Sequence, residues 1–287
     1  MNHRLKTRIL KTLSILPDSL GYFFYHLLQN IGSNKTFEYK IQSTQQSFTT
    51  INTILQKNNI KLENLKIAEL GSGWLPILPY LFVLKGGVSE VLTYDINEHY
   101  DAREVKKVND YYKKEYVFEI EKKGKYELHS AVNYYPKTNI CNGNLKQIDL
   151  VVSRFVLEHV PLVDIRIMHS LFKDQLKSGS YVLHLISPSD HRAYSDSSIS
   201  LQDFLKYSEE QWDKIQTKFD YHNRLRLPHY LGLFEKEFEI VYVEHDIMNT
   251  KSAAYTKFKE LTIHEDFSGF NDKELMAGSI NILLRKR

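Results

Sequence analysis

The pattern of apolar and polar residues predicts a strand, a glycine turn, a helix and a second strand between residues 65 and 97. Two apolar runs of strand length flank an apolar segment of helix length, and each run ends in an acidic residue. In chain order the segments are Ile67 to Glu69, the turn Gly71-Ser72-Gly73, Trp74 to about Lys85, and Val88 to Asp95. Such a βαβ unit places both acids at the carboxyl edge of a parallel sheet, where ligands of open α/β sheets bind.

The chemistry at that edge favours a nucleoside-containing cofactor. Glycines allow a tight turn and a close approach of a ligand to the backbone, and the following helix directs its free N–H groups toward the crevice. Asp95 is well placed to accept hydrogen bonds from ribose hydroxyls. The structural alternative is that any βαβ unit needs a turn glycine and can end in an Asp.

The remaining pattern extends this unit to a larger α/β domain. The run from Ile148 to Val152 is apolar on both faces, as expected for a buried parallel strand, and Ser153 and Arg154 stand where it leaves the sheet. The charged segment 98–123 is predicted to form one or two solvated helices before a turn at Gly124. Other predicted elements are helices over 36–60 and 162–178 and strands over 126–136, 181–186, 238–243 and the final SINILLRKR segment.

Residues 1–32 are predicted to form two helices separated by Pro17. The first is basic, with apolar residues at helical spacing, and the second is strongly apolar. The basic residues would allow a peripheral membrane contact through residues 1–30. The alternative is that the two helices cover the sheet or form a subunit contact.

Composition restricts the class of protein. The 287 residues suffice for one large α/β domain with additions, and the net charge of +3 is too small to indicate nucleic-acid binding. A single cysteine, Cys141, excludes an internal disulfide and fits a reducing cytoplasm. No run of 18 apolar residues is present, so no transmembrane helix is predicted.

Two motifs resemble those of class I S-adenosylmethionine-dependent methyltransferases. ELGSGW, residues 69–74, is similar to the first motif of that family, (D/E)-x-G-x-G-x-G, and departs from it at the third glycine, where Leu75 stands. DLVVSRFVLEHV, residues 149–160, is similar to the fourth motif and follows in the expected order and distance. A dinucleotide-binding fingerprint is a poorer match, because Pro76 occupies its third glycine position.

The resemblance implies an α/β fold: a seven-stranded Rossmann-like sheet with helices on both faces, plus an N-terminal helical extension. The extension would span residues 1–62 and the methyltransferase domain residues 63–287. S-adenosylmethionine is the implied cofactor. The residues implied to bind it are Glu69, Gly71, Ser72, Gly73, Asp95, Ile96, Asn139, Ser153 and Arg154.

A long polar insertion at about 187–230 leaves the carboxyl end of a predicted strand and is expected to cover the substrate. Within it, His191 is a candidate general base, because an imidazole with a pKa near neutrality can take a proton from a hydroxyl. His159, in the fourth motif, is the second candidate. The structural alternatives are that Asp190 caps a helix and that both histidines pack or hydrogen-bond locally.

The same insertion holds a polar cluster suited to a substrate. Two arginines beside an amide can bind a carboxylate, a phosphate or a sugar. Alternatively, the arginines pair with acids and fix the insertion to the core. The predicted substrate-binding residues are Asp190, Tyr221, Asn223, Arg224 and Arg226.

The sequence therefore predicts methyl transfer to a small-molecule or glycan-type acceptor, without a metal ion. The expected location is the cytoplasm, with the option of peripheral attachment to the inner face of the membrane. Nucleic acid is not expected as the acceptor, because SRFV stands where enzymes that methylate nucleic-acid amino groups carry N-P-P-Y. Two alternatives stay open: a cofactor-binding scaffold or membrane-associated partner, and an oxidoreductase with a nucleotide cofactor.

Overall fold

The computed structural model describes residues 3–17, 20, 24, 36–117, 119–217 and 219–287, and a seven-stranded sheet forms its centre. The strands are β1 Lys66–Leu70, β2 Glu90–Tyr94, β3 Ile120–Lys123, β4 Tyr126–His129, β5 Val132–Tyr135, β6 Leu150–Arg154, β7 Tyr181–Ile186, β8 Glu239–His245 and β9 Ile280–Arg285. The order in the large sheet is β5-β2-β1-β6-β7-β9-β8, and β3 and β4 form a separate pair. In the large sheet the neighbouring strands β5, β2, β1, β6 and β7 are parallel, whereas β9 runs antiparallel to β7 and β8. The predicted Rossmann-like sheet with an antiparallel final strand is thus confirmed.

Helices cover both faces of this sheet. Those in the described residues are α1 His3–Ile15, α2 Phe37–Lys57, α3 Ile77–Leu84, α4 Ala102–Tyr112, α5 Leu162–Gln175, α6 Glu209–Ile215, α7 Leu227–Phe234, α8 Ala253–Lys259 and α9 Asp272–Met276. The second helix predicted within residues 1–32 falls largely outside the described residues. No helix in the described part of the chain combines the length and apolar character that crossing a membrane requires.

Side chains of β6 alternate between two hydrophobic clusters, one on each face of the sheet. Leu150 and Val152 join the cluster that α2, α3 and α4 complete, whereas Val151 joins the cluster that α5 and α7 complete. All three side chains are fully buried, as expected for a parallel strand covered on both faces. Because each fully buried aliphatic side chain contributes about 1.5–3 kcal/mol, these two layers hold the strand ends in fixed positions.

The segment 98–123 departs from the prediction of one or two helices. Its first part is α4, but Ile120–Lys123 is a strand that pairs with β4 across a turn at Gly124 (φ +65°). The Nζ of Lys123 donates to the carbonyl oxygens of Ser130 (2.6 Å) and Val132 (3.0 Å). The helix prediction for residues 120–123 was wrong because these non-local bonds, rather than local charge spacing, decide the structure. The single strand predicted over 126–136 is accordingly two strands.

A chain of buried hydrogen bonds links β6, β7 and α5. The Nδ1 of His169 donates to the Ile165 carbonyl oxygen (2.7 Å), so its Nε2 accepts from the Nε2 of His184 (2.9 Å). The Nδ1 of His184 then accepts from the Ser153 hydroxyl (2.7 Å). Burial lowers the pKa of His169 to about 4 and that of His184 well below its usual value, so both rings are neutral at pH 7. These bonds fix the Ser153 side chain at the end of β6.

The insertion after β7 packs against a second excursion, residues 246–279, between β8 and β9. Together they enclose a third hydrophobic cluster that sequence reasoning did not predict. Helix α1 lies on this layer: Leu10 is buried, and the Nζ of Lys11 donates to the Lys214 carbonyl oxygen (2.5 Å). The buried members of the third cluster are Phe204, Leu205, Trp212, Phe258, Phe267 and Leu275.

Candidate active site

Strand register brings the predicted cofactor residues to one edge of the sheet. The last residue of β1, Leu70, lies beside the last residue of β2 and beside Ser153 of β6. Gly71 and Asp95 directly follow β1 and β2, and Arg154 is the last residue of β6. The N–H of Gly71 donates to the carbonyl oxygen of the last β2 residue (2.8 Å), which joins the two neighbouring turns.

Gly71 and Gly73 share a left-handed backbone but have different surroundings. Gly71 (φ +83°) is closely packed, since a Cβ there would approach the Cγ2 of Val156 to 2.4 Å. Gly73 (φ +61°) is open, and no atom lies within 4 Å of the place a Cβ would take. Glycine adopts this conformation at little cost. The first glycine is therefore required by packing, and the second leaves its backbone accessible to a ligand.

Asp95 is oriented by contacts to both of its carboxylate oxygens. Oδ2 accepts from the Ser72 hydroxyl (3.2 Å), and Oδ1 accepts from the N–H of Asn97 (2.8 Å). The Nε2 of His99 lies 3.7 Å from Oδ1. The adjacent Ile96 side chain is 70% exposed, which leaves an apolar surface directly beside the carboxylate.

The loop that carries Asn139 is joined to the same edge. The N–H of Thr138 donates to the Asp95 carbonyl oxygen (2.9 Å). The Asn139 side chain caps a short 3-10 turn, Ile140–Asn142, and accepts from the N–H of Cys141 (2.9 Å). A contact between Asn139 and an adenine stays a prediction.

Glu69 is a buried acid at the end of β1. Its Oε2 accepts from the Thr93 hydroxyl (2.5 Å). Burial raises the pKa of Glu69 to about 8, although the Thr93 hydrogen bond and the charge of Arg154 act in the opposite direction. A buried carboxyl with a strongly raised pKa at the edge of a sheet is typical of a functional site.

Arg154 joins β6 to α2. Its Nε donates to the Ser47 hydroxyl (2.6 Å) and its Nη2 to the Ser43 hydroxyl (2.9 Å). The guanidinium lies 4.7 Å from the ring centre of Phe155, which has a left-handed backbone (φ +56°). Non-glycine residues in this conformation cluster at functional sites. Here the strained residue turns the chain out of β6 directly beside the predicted cofactor edge.

The Asp190 side chain bonds other residues of the insertion. It accepts from the N–H of Arg192 (3.0 Å) and pairs with the Arg192 guanidinium (2.6 Å), which also pairs with Asp203 (3.0 Å). All three side chains are buried. Asp190 thus caps the short 3-10 turn His191–Tyr194, as the structural alternative stated, and its carboxylate is paired with Arg192.

The predicted substrate cluster also points inward. Arg224 and Arg226 are buried, and Arg226 is 0% exposed. Their partners are chiefly backbone carbonyl groups, together with an ion pair between Arg224 and Glu209. This arrangement favours the alternative in which the arginines fix the insertion to the core. The bonds are Arg226 Nη2 to the Pro188 carbonyl (2.8 Å), Arg224 Nη1 to the Phe204 carbonyl (3.0 Å) and Asn223 Nδ2 to the Leu157 carbonyl (2.6 Å).

The two predicted bases, His159 and His191, lie together. Their ring centres are 4.9 Å apart, and the ring of His222 lies 4.5 Å from that of His191. The Nδ1 of His159 donates to the Tyr221 carbonyl oxygen (2.9 Å), so Tyr221 contributes through its backbone. Glu158 is fully buried beside them, and burial raises its pKa to about 8.

The predicted site residues omit three contributors to this region. Glu158 and His222 each carried a signal, because Glu158 is an acid within the largely apolar run FVLEHV and His222 stands in the same polar cluster as Asn223. Arg192 carried none, because its burial depends on contacts within the folded insertion, such as that with Asp203. The structure therefore adds a carboxyl group and an imidazole to the two histidines that the sequence identified separately.

No family model matches the chain, and no curated protein matches it in sequence. The structure is similar to that of magnesium protoporphyrin IX methyltransferase from Synechocystis PCC 6803, with 12% identity, a TM-score of 0.52, and coverage of 93% of this chain and 94% of that chain. The chain has the class I methyltransferase fold. The predicted fold is thereby confirmed.

Weaker similarity extends to other proteins of this fold. An S-adenosylmethionine-dependent methyltransferase from Mesorhizobium loti shares 15% identity, with a TM-score of 0.45 and coverage of 81% and 96% of the two chains. One from Methanosarcina mazei shares 16% identity, with a TM-score of 0.46 and the same coverage. These similarities concern the fold alone.

Proposed function

We propose that this protein transfers a methyl group from S-adenosylmethionine to a small-molecule or glycan-type acceptor. One observation carries the proposal. The open backbone of Gly73 lies in the turn that follows the buried Glu69, and the Ser72 hydroxyl of the same turn bonds Asp95. A Cβ at this glycine would stand in otherwise empty space, as expected where a ligand approaches the main chain. The residues present therefore fit the cofactor that the fold implies.

Each part of the cofactor has a suitable group at this edge. Asp95 would accept hydrogen bonds from the ribose hydroxyls, and the exposed Ile96 would cover one face of the adenine. Ionised Glu69 would bind the amino group and Arg154 the carboxylate of the methionine portion, because the charges of these side chains are opposite to those of the two groups. When bound, S-adenosylmethionine supplies an electrophilic methyl group.

The chain itself contributes position and protection from water. Methyl transfer needs the acceptor atom in line with the methyl group, and fixed positioning lowers such barriers substantially. The insertion and α1 lie over the region beyond β6 and β7 and would exclude water there. His159 or His191 would take a proton if the acceptor is a hydroxyl.

A small-molecule acceptor agrees with the net charge of the chain and with the side chains near the two histidines. The net charge of +3 gives no broad basic surface for nucleic acid. Near the paired histidines, the Tyr194 ring is 61% exposed and its hydroxyl bonds that of Ser187 (3.0 Å). An exposed aromatic ring beside hydroxyl groups suits a ring-shaped or sugar-like acceptor. The single half-buried thiol, Cys141, agrees with a proposed cytoplasmic location.

Calorimetric titration tests cofactor binding. S-adenosylhomocysteine should bind with one site per chain, and Asp95→Ala should weaken it at least tenfold because the ribose contact is lost. Asp110→Ala, which removes an exposed acid on α4, is the matched control and should bind normally. Binding of NADH with no binding of S-adenosylhomocysteine would instead establish the oxidoreductase alternative.

Transfer itself needs a second experiment. A panel of metabolites and oligosaccharides is incubated with a labelled methyl donor, and product is counted. Labelling of a small molecule supports the proposal; cofactor binding without any labelled product favours the scaffold alternative. Sedimentation with anionic liposomes, with and without residues 1–30, separately tests the proposed membrane contact.

A further inference from the structure

A carboxylate and two imidazoles converge beyond the ends of β6 and β7. Glu158, His159 and His191 each offer one ligand atom, and these atoms lie within 4.8 Å of one another. A tetrahedral metal ion with bonds of about 2.1 Å holds its ligands roughly 3.4 Å apart. Side-chain rotations that move these atoms by about an ångström would therefore complete a three-ligand site.

The Glu158 carboxyl has an unusual environment. The side chain is 0% exposed, and neither oxygen makes a hydrogen bond of good geometry among the described residues, although the backbone N–H groups of Glu158 and Ser187 lie near the carboxyl. Buried polar groups in proteins are almost always hydrogen-bonded. An unpartnered carboxyl that faces two imidazoles therefore indicates a ligand between them.

Two imidazoles of this region, those of His159 and His222, are oriented as metal ligands usually are. The Nδ1 of His159 donates to the Tyr221 carbonyl oxygen (2.9 Å), which leaves the Nε2 lone pair for a ligand. His222 repeats this arrangement, since its Nδ1 donates to the Asn223 carbonyl oxygen (2.6 Å). The Nε2 of His222 is buried and has no partner within the described chain. A backbone carbonyl on the second ring nitrogen is a common support for a metal-binding histidine.

We propose that Glu158, His159 and His191 bind a divalent transition-metal ion, with His222 beside the site. Imidazole nitrogens with one carboxylate suit Zn²⁺, Mn²⁺, Fe²⁺ or Co²⁺, whereas Mg²⁺ and Ca²⁺ prefer all-oxygen sites. The sequence alone predicted no metal, because it did not show that these side chains meet.

Three protein ligands leave room for a further ligand. His159 is exposed on one side. A small cavity of about 30 Å³, which His191, His222 and Leu10 help to line, adjoins the site. This space is sufficient for about one or two water-sized groups. Catalytic metal sites have such an open position, whereas structural sites are fully ligated by protein.

The position of the site indicates what the ion would do. Glu158 lies close enough to Arg154 for the guanidinium charge to act on it, and Arg154 borders the proposed cofactor site. The ion would hold an acceptor through a hydroxyl or carboxylate oxygen next to the methyl donor. This role rests on the proposed function, whereas the metal site itself does not.

The test is a titration of the full-length, metal-free protein with Co²⁺, followed by visible absorption and calorimetry. One Co²⁺ per chain should bind with visible absorption bands, and Zn²⁺ should displace it. His159→Gln and Glu158→Gln should each weaken binding at least tenfold. The matched control is His245→Gln, since His245 also bonds a backbone carbonyl through Nδ1 (2.8 Å) but stands outside the group. Circular dichroism melting verifies folding, and the exposed His159 keeps the test valid if Glu158→Gln does not fold.

The outcomes separate the two proposals. Absence of stoichiometric Co²⁺ binding, or binding that His159→Gln leaves intact, overturns the metal site. S-adenosylhomocysteine titrated into the same samples reports independently on the proposed function, and His159→Gln should not change its affinity. Cobalt binding without S-adenosylhomocysteine binding would support the metal site and refute the methyltransferase.

Discussion

Substitutions at Gly71 and Gly73 test directly whether the first glycine serves packing and the second serves ligand binding. Both residues have positive φ, so alanine at either position adopts a left-handed backbone at a cost of roughly 1–2 kcal/mol. At Gly71 the new Cβ also approaches Val156 to 2.4 Å, which adds about 1–3 kcal/mol of overpacking. We therefore expect Gly71→Ala to lower the free energy of unfolding by about 2–5 kcal/mol, and Gly73→Ala by about 1–2 kcal/mol.

The two glycines should differ in the opposite sense for ligand binding, which the substitution at Gly73 should impair more specifically. Gly73→Ala should remain folded yet bind S-adenosylhomocysteine at least tenfold more weakly, because its methyl group occupies the open space. The steric part of the Gly71 effect can be isolated with Val156→Ala. The double variant Gly71→Ala/Val156→Ala should recover about 1–3 kcal/mol relative to the sum of the single variants.

Urea denaturation measures the free energies of unfolding, and calorimetry measures the affinities of the folded variants. Two results would refute the reasoning. If Gly73→Ala binds S-adenosylhomocysteine like the wild type, the open space is not where the cofactor lies. If the Gly71 and Val156 effects are additive, the predicted contact does not determine the cost.

Four further predictions concern buried polar groups. Because Glu69 has a pKa raised to about 8, S-adenosylhomocysteine should bind about tenfold more tightly per pH unit from about pH 6 to 8, and calorimetry should show no such slope for Glu69→Gln. The same raised pKa means that the contribution of Glu69 to the free energy of unfolding falls as the pH rises through 8. Urea denaturation of the wild type and of Glu69→Gln at several pH values measures this contribution. Arg192→Met leaves Asp190 without an ionic partner in the interior and Asp203 with Lys206 alone, and it should lower the free energy of unfolding by about 3–5 kcal/mol, with Lys214→Met on the surface as control. His184→Leu removes the ring that both Ser153 and His169 bond, and it should cost about 1–3 kcal/mol for each of these two groups left unsatisfied, measured by urea denaturation; a loss below 1 kcal/mol would contradict the hydrogen-bond assignment.

The sheet was predictable because its signals are local. The apolar run Ile148–Val152 predicts a buried strand by itself, and the glycine turn after Glu69 predicts where the first strand ends. The hairpin at Ile120–Lys123 was not predictable in this way. Its short, charged strands resemble a solvated helix, and the contacts of Lys123 are made with residues beyond the turn.

The candidate site was only partly predictable, because burial is not visible in a sequence. An Arg-rich cluster suggests an anion site, and yet Arg226 is fully buried and bonds the carbonyl oxygen of Pro188, 38 residues away. His159 and His191 could each be identified as chemically capable. Their convergence with Glu158 depends on the path of the insertion, which the folded core determines.

The hydrogen bonds through His169 and His184 all run in one direction, from the Ser153 hydroxyl to the Ile165 carbonyl oxygen. The donor and the acceptor of each bond are therefore fixed. The Ile165 carbonyl can only accept, so it sets the tautomer of His169, then that of His184, and finally the hydrogen position of Ser153. No single bond in this relay can reverse without the others. A residue on the outer helix α5 therefore determines which way a hydroxyl at the proposed cofactor edge points, and Ser153 cannot donate a hydrogen bond to anything bound there.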